Sequence, residues 1–482
     1  MREIGYRTID LLVSRLTDAS TPAMRRGDPG ELAERIGTDI PSGPTAWSQL
    51  LETLDEHVLT FTSRLSHPGY FAFIPASSTF AGALGDLISS ALDLDVGSWS
   101  SAAGPSHLEL VVLDWFKQWI GYPTDADGVL VSGGSAANLT ALACAREHLS
   151  GRDAARAVVY ASDQTHSSVT RAARLLGFDP ARIRSLATDG RYRVRVDALR
   201  HALERDEHDG LQPLIVVANA GATNTGAIDP LAELAEVCRE WGLWLHVDAA
   251  YGGFAALTDR GSRLLAGLER ADSITLDPHK WLYQPIECGC VLVREPGRLE
   301  RAFAIAPDYL QDYRSREVDF CDRGTQLTRG ARALKVWLSI SSFGADAFTA
   351  AIDRSLDLAR LAERLVEEHP SLELLCPATL GVVCFRRCFP GLRDEQAVAA
   401  ANAELVSRFE ATGAGLLSTT RLGGRYAIRM CVMNHTTARA DVERALRWLA
   451  SAPVPMGACS GGSDRPSRRY ASAGRVPAML RQ

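Results

Sequence analysis

Several short polar segments, each following an apolar run, carry the residues of this chain that are best suited to chemistry. Lys280 lies in Asp277-Pro278-His279-Lys280-Trp281, directly after the apolar run Ile274-Thr275-Leu276. A lysine that is desolvated beside an apolar strand and an aromatic ring suits the role of an amine nucleophile, because burial lowers its pKa. We therefore predict a nucleophilic role for Lys280. The structural alternative is a surface lysine whose stem covers apolar side chains.

Two further segments offer a carboxylate and an imidazole. Asp248 directly follows the apolar run Leu243–Val247, where a carboxylate is costly unless a cationic group faces it. This position favours a role in holding a proton on a pyridine nitrogen, and a helix N-cap is the alternative. His166 follows the run that ends near Tyr160 and offers a flat ring, although a single loop histidine is also common as a structural residue.

A glycine-containing turn completes the set. Ser132-Gly133-Gly134-Ser135-Ala136 follows a predicted strand and opens a predicted helix. Backbone N–H groups and the helix dipole at such a turn attract a phosphate, because glycine lets the backbone approach closely. A bare tight turn is the alternative for this segment alone. Together, the polar segments at successive strand ends predict a site for a cofactor with a phosphate and a heteroaromatic ring.

An alternation of strand and helix patterns between Gly128 and Val293 must position these segments. The predicted strands are short runs rich in Val and Ile, at 129–131, 158–160, 214–217, 243–247 and 274–276. The predicted helices between them include Ala136–Leu149, Ser168–Leu176 and Leu231–Trp241. This alternation indicates an α/β fold with an open, largely parallel sheet. Ligands bind such sheets at the carboxyl ends of the strands, where the polar segments lie.

The regions on either side have different patterns. Helical spacing before residue 65 predicts an N-terminal helical segment, and helices are predicted over Arg332–Phe343 and Asp346–His369. Strand patterns at 380–386 and 426–431, followed by a helix over Ala440–Ala450, predict a compact α+β unit. The predicted divisions are a helical segment (1–65), a large α/β domain (66–345), a small α+β domain (346–452) and a disordered tail (453–482).

The composition excludes several classes of protein. Of the 482 residues, 46% are hydrophobic and 23% are charged, as in folded globular chains. The net charge of −6 argues against a nucleic-acid partner. Because no apolar stretch is long enough to span a membrane and no secretory signal is visible, we expect a cytoplasmic protein without a membrane partner. The 10 cysteines form no CxxC pair, so we expect buried thiols and no metal site.

These motifs resemble the pyridoxal-phosphate-dependent group II amino-acid decarboxylases, the family of aromatic-L-amino-acid, tyrosine, histidine and glutamate decarboxylases. The resemblance extends from the N-terminal helices to about residue 450. The motifs that carry it are the glycine turn, His67–Pro75, Gly97-Ser98-Trp99, Asp114-Trp115, Asp163-Gln164-Thr165-His166, His246–Tyr251 and Pro278-His279-Lys280-Trp281.

This resemblance implies a fold, a cofactor and an assembly. The implied fold is fold type I, the aspartate-aminotransferase type, with a central mostly parallel sheet and a smaller α+β C-terminal domain. The implied cofactor is pyridoxal 5'-phosphate. Family members are obligate homodimers, with active sites at the interface and N-terminal helices wrapped over the partner subunit. We therefore expect the helical segment 1–65 to contact a second copy of this chain.

The resemblance also implies roles for individual residues. Lys280 forms a Schiff base with the cofactor, and Asp248 pairs with the pyridinium nitrogen so that the ring can accept electrons after CO2 is lost. His166 stacks on the face of the ring and helps to position the substrate. The remaining implied cofactor contacts are Gly134, Ser135, Thr223, Ala250, Asp277 and His279.

A second set of residues matches the family's substrate pocket. Phe73, Ile74 and Pro75 occupy positions that line this pocket in the family. Phe73 and Trp99 suit an aromatic or large apolar side chain, with plain core packing as the alternative. Gly97 replaces a bulky residue of the animal aromatic enzymes and is expected to enlarge the pocket.

One position departs from the family pattern. When the chain is aligned without gaps back from Leu334-Lys335, Phe320 falls on the tyrosine that protonates the carbanion in the family. Phenylalanine has no proton to give, and the loss of a general acid slows a reaction by roughly 10²–10⁴-fold. In the family's plant aldehyde synthases, a phenylalanine here accompanies a reaction with O2 that yields an aldehyde, ammonia, CO2 and hydrogen peroxide. Tyr309 and Tyr313, earlier in the loop, are alternative proton donors.

The sequence therefore predicts decarboxylation of an L-amino acid, aromatic or large apolar, with an amine or an aldehyde as the product. Another reaction on the same fold, such as transamination or desulfuration, stays open. It would need an arginine that clamps a carboxylate, or a nucleophilic loop cysteine, for which Cys321 is a candidate. A protein that keeps the fold without catalysis is the third interpretation, against which the intact Lys280, Asp248 and His166 argue.

Overall fold

The computed structural model describes residues 1–18, 20–74, 76–147, 156–305 and 317–453. Pro75, Tyr309 and Tyr313, together with nearly all of the predicted tail, lie outside the described residues. Within the described part, the chain forms a large sheet, a smaller sheet and an N-terminal group of helices. None of the helices in these residues is long and apolar enough to cross a membrane.

The larger sheet has seven strands and carries the candidate site. In spatial order its strands are β2 (Asp127–Val131), β8 (Gly289–Val293), β7 (Ser273–Leu276), β6 (Trp244–Asp248), β5 (Gln212–Asn219), β3 (Ala157–Ser162) and β4 (Ile183–Leu186). Strand β8 is antiparallel to both of its neighbours, and all other pairs are parallel. The prediction of a mostly parallel α/β sheet is therefore confirmed.

Helices cover this sheet, and strands β2, β3, β6, β7 and β8, which are mostly apolar, are buried along their whole length. The helices of this region are α4 (Phe80–Ala91), α5 (Trp99–Ile120), α6 (Gly134–Glu147), α7 (Ser167–Leu175), α8 (Val196–His208), α9 (Leu231–Trp241), α10 (Asp259–Leu264), α11 (Arg298–Phe303) and α12 (Arg332–Phe343). The predicted helices at 136–149, 168–176, 231–241 and 332–343 are confirmed as α6, α7, α9 and α12.

The smaller sheet has five strands in the order β1 (Tyr70–Phe71), β11 (Leu416–Leu422), β12 (Arg425–Cys431), β10 (Val382–Arg387) and β9 (Leu372–Cys376). Helices α13 (Ala345–Glu368), α14 (Glu395–Ala411) and α15 (Arg439–Ser451) accompany it. Strand β1 pairs in parallel with β11, with Tyr70 opposite Leu416. Tyr70 and Phe71, which the sequence assigns to the large domain, thus complete the sheet of the small one.

The N-terminal residues form α1 (Arg2–Thr17), α2 (Pro29–Ile36) and α3 (Trp47–Thr53), followed by a π-helical turn at Leu54–Val58 and a 3-10 turn at Leu59–Phe61. Helix α2 begins where the Asp28 carboxylate accepts the N–H groups of Gly30 and Glu31, with proline at its first position. No residue of α1, α2 or α3 is buried in the single chain. These helices therefore present much of their apolar surface outward.

Candidate active site

A cavity of about 450 Å³ lies at the carboxyl ends of β2, β3, β5, β6 and β7. Strands of a parallel sheet end at one common edge, so polar segments from distant parts of the chain meet there. All of the predicted cofactor contacts lie on the cavity wall: Gly134, Ser135, His166, Thr223, Asp248, Ala250, Asp277, His279 and Lys280.

Lys280 forms an ion pair at the base of this cavity. Its Nζ lies 2.8 Å from Oδ2 of Asp277, whose side chain is almost fully buried. Burial lowers the pKa of Lys280, but the carboxylates of Asp277 and Asp248 more than offset that effect, so the pKa lies above its ordinary value. The lowered pKa expected from the sequence is therefore wrong, because the sequence pattern did not show that two carboxylates face the amine.

Asp248 is the last residue of β6 and is held by two donors. Its Oδ1 accepts the N–H of Ala250 at 3.1 Å, and its Oδ2 accepts the side-chain N–H of Asn138 at 2.9 Å. The residues that follow β6 form a turn and then a 3-10 helix, so Asp248 does not cap an α-helix. The carboxylate is buried, oriented and exposed only to the cavity, as a partner for a protonated ring nitrogen requires.

His166 precedes α7 and lies on the opposite part of the cavity wall. Its Nδ1 accepts the N–H of Ser168 at 3.3 Å and lies 2.7 Å from the Ser168 hydroxyl. Burial lowers the pKa of His166, although the Asp248 carboxylate opposes this effect. The ring is therefore neutral at pH 7 and presents an uncharged face to the cavity.

The glycine turn is required by close packing. A Cβ on Gly134 would lie 2.8 Å from Asp277 Oδ2 and 3.1 Å from the Ala250 Cβ, and one on Gly133 would lie 3.1 Å from His279 Cε1. Helix α6 begins at Gly134, so the N-terminal end of this helix borders the cavity. Such an end binds anions through its N–H groups and dipole.

The residues present fit pyridoxal phosphate. They combine an anion site at a helix N-terminus, an amine, and an oriented carboxylate within one cavity. In addition, the buried Oδ1 of Asp277 has no hydrogen-bond partner among the described residues, as expected where a polar group completes the site. Within the same residues, no group of three His, Cys, Asp or Glu side chains is placed to hold a metal ion.

The predicted substrate residues have different positions. None of Phe73, Ile74, Gly97 and Trp99 lies on the cavity wall of the single chain, and Pro75 is outside the described residues. Ile74 is buried in the main core, which is the packing alternative, and Phe73 is 57% exposed with a φ of +56°. Trp99 packs edge-on against His107 at 6.4 Å.

Gly97 does not line this cavity in the single chain, and the expectation that it enlarges the substrate pocket stays a prediction. A Cβ at this position would lie 2.4 Å from the backbone oxygen of Leu327. The glycine is therefore needed because a second loop crosses it, and the space of the missing side chain is filled by backbone.

Phe320 is also remote from the cavity wall. Its ring is fully buried, and the guanidinium carbons of Arg329 and Arg323 lie 5.0 and 5.8 Å from the ring centroid. The neighbouring Cys321 donates its N–H to the oxygen of Gly97 at 2.9 Å. The structure thus places Phe320 and Gly97 together in one packed region that does not line the cavity of the single chain, and a catalytic role for Phe320 stays a prediction.

Several residues of the cavity wall escaped the sequence analysis, notably Asn138, Ser168, Asn219, Tyr251, Ile286 and Glu287. Asn138 follows Gly134 by one helical turn, and Asn219 is the last residue of β5, paired with Asp248. Both positions carried a signal that the pattern of the elements could have revealed. Ile286 and Glu287 lie in a loop after Lys280, where no periodicity points toward the site.

Comparisons with known proteins agree with this geometry. Residues 29–388 match the model of the pyridoxal-dependent decarboxylase conserved domain. The chain is 39% identical to an aromatic-L-amino-acid decarboxylase of Bacillus atrophaeus, over 92% of this chain and 93% of that protein. It is 31% identical to a phenylacetaldehyde synthase of Arabidopsis thaliana, over 93% and 95% of the two chains.

A solved structure shows the same fold. The crystal structure of Oryza sativa TDC with PLP and tryptamine superimposes with a TM-score of 0.89 at 30% identity, covering 93% of this chain and 96% of that one. Fold and site thus define a pyridoxal-phosphate-dependent enzyme of fold type I. The chain belongs to the pyridoxal-dependent decarboxylase family, and it is a carboxy-lyase that uses pyridoxal phosphate.

Proposed function

We propose that this protein decarboxylates an aromatic L-amino acid and releases the corresponding amine. The observation that carries the proposal is that Lys280, Asp248 and His166, from three separate strand ends, share one cavity of about 450 Å³. The names of the similar proteins support an aromatic substrate. A cytoplasmic location stays a prediction from the sequence.

Three acidic or basic residues of the site, Lys280, Asp277 and Asp248, hold or release protons. Pyridoxal phosphate, when bound, supplies a carbonyl for the substrate amine and a ring that accepts the electron pair left behind by CO2. Lys280 Nζ holds a proton against Asp277 Oδ2 at 2.8 Å, and must release it before the nitrogen can act as a nucleophile. Asp277 is the base within reach of that proton. With the cofactor bound, the fixed Asp248 carboxylate would hold a proton on its ring nitrogen.

The other wall residues bind and orient. Gly134, Ser135 and His279 would hold the phosphate, and Thr223 and Ala250 would contact the ring; all five line the cavity. The neutral ring of His166, on the same wall, would stack on the cofactor ring.

The substrate side is completed by a second copy of the chain. Ile286, on the cavity wall, is 66% exposed in the single chain, and Phe73 is 57% exposed. Leu84, Leu87 and Ile88 form an exposed apolar row on α4, and α1 and α3 are unburied. Exposed rows of this kind mark interfaces. We infer a homodimer, as the family resemblance implies, and its mass in solution tests this directly.

The packing of Phe320 favours the amine over the aldehyde. Its ring is fixed by two guanidinium groups and does not line the cavity of its own chain. The proton then comes from another donor, for which the sequence offers Tyr309 or Tyr313. The similarity to an aldehyde synthase keeps oxidative decarboxylation as the second candidate. In that reaction the amino acid, O2 and water give an aldehyde, CO2, ammonia and hydrogen peroxide.

Product analysis tests both candidates together. The enzyme loaded with pyridoxal phosphate is incubated in air with tryptophan, tyrosine, phenylalanine or DOPA, with leucine and histidine as comparison substrates. Amine equal to CO2, with no peroxide, supports the proposal. Aldehyde with an equal amount of peroxide contradicts it in favour of the second candidate. No CO2 from any of these substrates contradicts both.

The proton donor is tested with a matched pair of variants. Tyr309→Phe and Tyr313→Phe each remove one phenol from the same segment. If one of them is the donor, amine formation falls by roughly 10²–10⁴-fold in that variant alone. A full rate in both variants would contradict a donor in this segment.

A further inference from the structure

A chain of buried hydrogen bonds runs beneath the cavity, and Asn138 lies at its centre. The Asn138 amide nitrogen donates to Asp248 Oδ2 and to Ser168 Oγ, each at 2.9 Å. Its oxygen accepts from His246 Nε2 at 3.0 Å and from the Thr275 hydroxyl at 2.7 Å. Both donors and both acceptor sites of this amide are therefore used, in a residue that is almost fully buried.

The donor and acceptor groups fix the direction of every hydrogen bond in this chain of hydrogen bonds. Asp248 is an acceptor as a carboxylate, so the nitrogen of Asn138 must face it and the oxygen must face His246. The His246 ring then carries its proton on Nε2, which leaves Nδ1 to accept from Ser273 Oγ at 2.9 Å. Burial lowers the pKa of His246 to about 4, so this ring is neutral at pH 7.

The chain of hydrogen bonds begins at the Trp244 indole, a group that can only donate. The indole N–H of Trp244 donates to Ser273 Oγ at 2.9 Å, which directs the Ser273 proton toward His246. Trp244 is the first residue of β6 and Asp248 is the last. Trp244 borders a separate cavity of about 980 Å³, together with Tyr122 and Arg294. The indole that orients the chain of hydrogen bonds thus lies at the opposite end of β6 from the candidate active site.

A branch of the chain reaches His166. Because Ser168 Oγ accepts from Asn138, its own proton is available for His166 Nδ1, which lies 2.7 Å away. The backbone N–H of Ser168 is aimed at the same nitrogen. A nitrogen that accepts two donors is unprotonated, so His166 must carry its proton on Nε2.

We propose that Asn138 is a positioning residue that orients the Asp248 carboxylate and the His166 ring, and that the donors from Trp244 through Ser273 and His246 fix the direction of its amide. The proposal deepens the proposed function and rests on it for the roles of Asp248 and His166. Buried polar groups cost free energy unless they are hydrogen-bonded. A fully hydrogen-bonded set of polar side chains beneath the cavity therefore supports a role in orienting the residues above it.

The test replaces the donor without changing the shape of the side chain. Asn138→Asp cannot donate to Asp248, whereas Asn402→Asp makes the same replacement at a fully buried asparagine of the small domain and serves as the control. Two quantities are measured: the ¹⁵N shifts of the histidine ring nitrogens in cofactor-free protein, and the Kd for pyridoxal phosphate. The ring signals are assigned with His166→Asn and His246→Gln variants.

In the unsubstituted protein, both His166 and His246 are expected as neutral rings protonated at Nε2. In Asn138→Asp, the His246 or His166 signals change and the Kd for pyridoxal phosphate rises about tenfold, because Asp248 loses a donor and gains a like charge. The Asn402→Asp control keeps the histidine signals and the Kd. Unchanged signals and Kd in Asn138→Asp would overturn the proposal.

A second variant keeps the test informative if Asn138→Asp does not fold. Trp244→Phe removes the indole donor at the far end of the chain of hydrogen bonds together with part of the ring, and Trp119→Phe, which loses the same volume in the same core, is its control. The proposal expects a mixture of His246 tautomers in Trp244→Phe alone. A single Nε2–H form there would overturn the proposed direction. Because the tautomers are read without cofactor or substrate, this result stands apart from any failure of the proposed reaction.

Discussion

Two regions of the molecule bury charged side chains, and only one of them is built for chemistry. Around Lys280, the charges of Asp277, Asp248 and the amine border a cavity of about 450 Å³. Around Phe320, Arg329 pairs with Glu109 at 2.7 Å and Arg323 with Asp127 at 3.2 Å, and both arginines also bond to backbone oxygens of the core.

The difference lies in what the charges face. Near Phe320 the charged side chains face one another, and the ion pairs between them hold loops against the sheet. Near Lys280 they face space that a ligand can fill. A buried charge is therefore informative about function when it borders a cavity, and uninformative when its partners enclose it.

The largest effect that separates the two regions is expected at Lys280. Lys280→Ala removes the amine nucleophile, and CO2 release should fall by roughly 10⁴-fold or more. Borohydride reduction of the loaded enzyme, followed by peptide mapping, should label Lys280 and leave Lys117 and Lys335 unlabelled. Labelling of another lysine, or CO2 release within tenfold of the unsubstituted enzyme, would contradict the role.

A purely structural loss is expected in the other region. Glu109→Ala leaves the Arg329 guanidinium buried without its carboxylate, which costs about 3–5 kcal/mol of unfolding free energy. Denaturant unfolding measures this change. The folded fraction should still bind pyridoxal phosphate with the original Kd, and a large rise in Kd would show that this cluster supports the site after all.

The pH dependence of stability should report on the buried ring under the cavity. Burial lowers the pKa of His246 from 6.5 to about 4, so the unfolded chain binds a proton more tightly. Stability from this group is present above pH 6.5 and is lost as the pH falls toward 4, by about 3 kcal/mol in total. His246→Gln should make the free energy of unfolding less dependent on pH in this window. An unchanged slope would contradict a neutral buried His246.

The smallest expected effect is at Phe320. Phe320→Tyr adds a hydroxyl to a fully packed ring, which should cost about 1–3 kcal/mol of unfolding free energy. The ratio of amine to aldehyde should not change, because the ring does not reach the cavity. A shift of product from aldehyde to amine would instead place position 320 in the reaction.

The sequence predicted the cofactor side well and the loops poorly, for physical reasons. Helices such as α7 and α9 have strong apolar periodicity, and polar residues at the ends of parallel strands converge by topology alone. Strand β8 was not predicted separately, although its Val291-Leu292-Val293 run has the same residues as the predicted strand Val129-Leu130-Val131. Strand β1 has only two residues, which is too short for any periodicity.

Gly97 shows a different limit. The carbonyl of Leu327 that crosses it comes from a segment 230 residues further along the chain, and no local pattern reveals such a contact. The lowered pKa expected for Lys280 failed only partly for this reason, because Asp248 is brought to the amine by the sheet whereas Asp277 lies three residues before it in the chain. Positions fixed by local pattern are predictable, and positions fixed by distant contacts are not.

The pairing of β1 with β11 has a consequence for the order in which the protein forms during synthesis. Tyr70 and Phe71 leave the ribosome early, but their partners Leu416 and Leu417 follow roughly 350 residues later. Until then, the edge of β11 and the apolar face that Phe71 covers do not exist. A nascent chain therefore carries β1 without its partner for roughly 350 residues of translation, and the small sheet is completed only after β11 has been made.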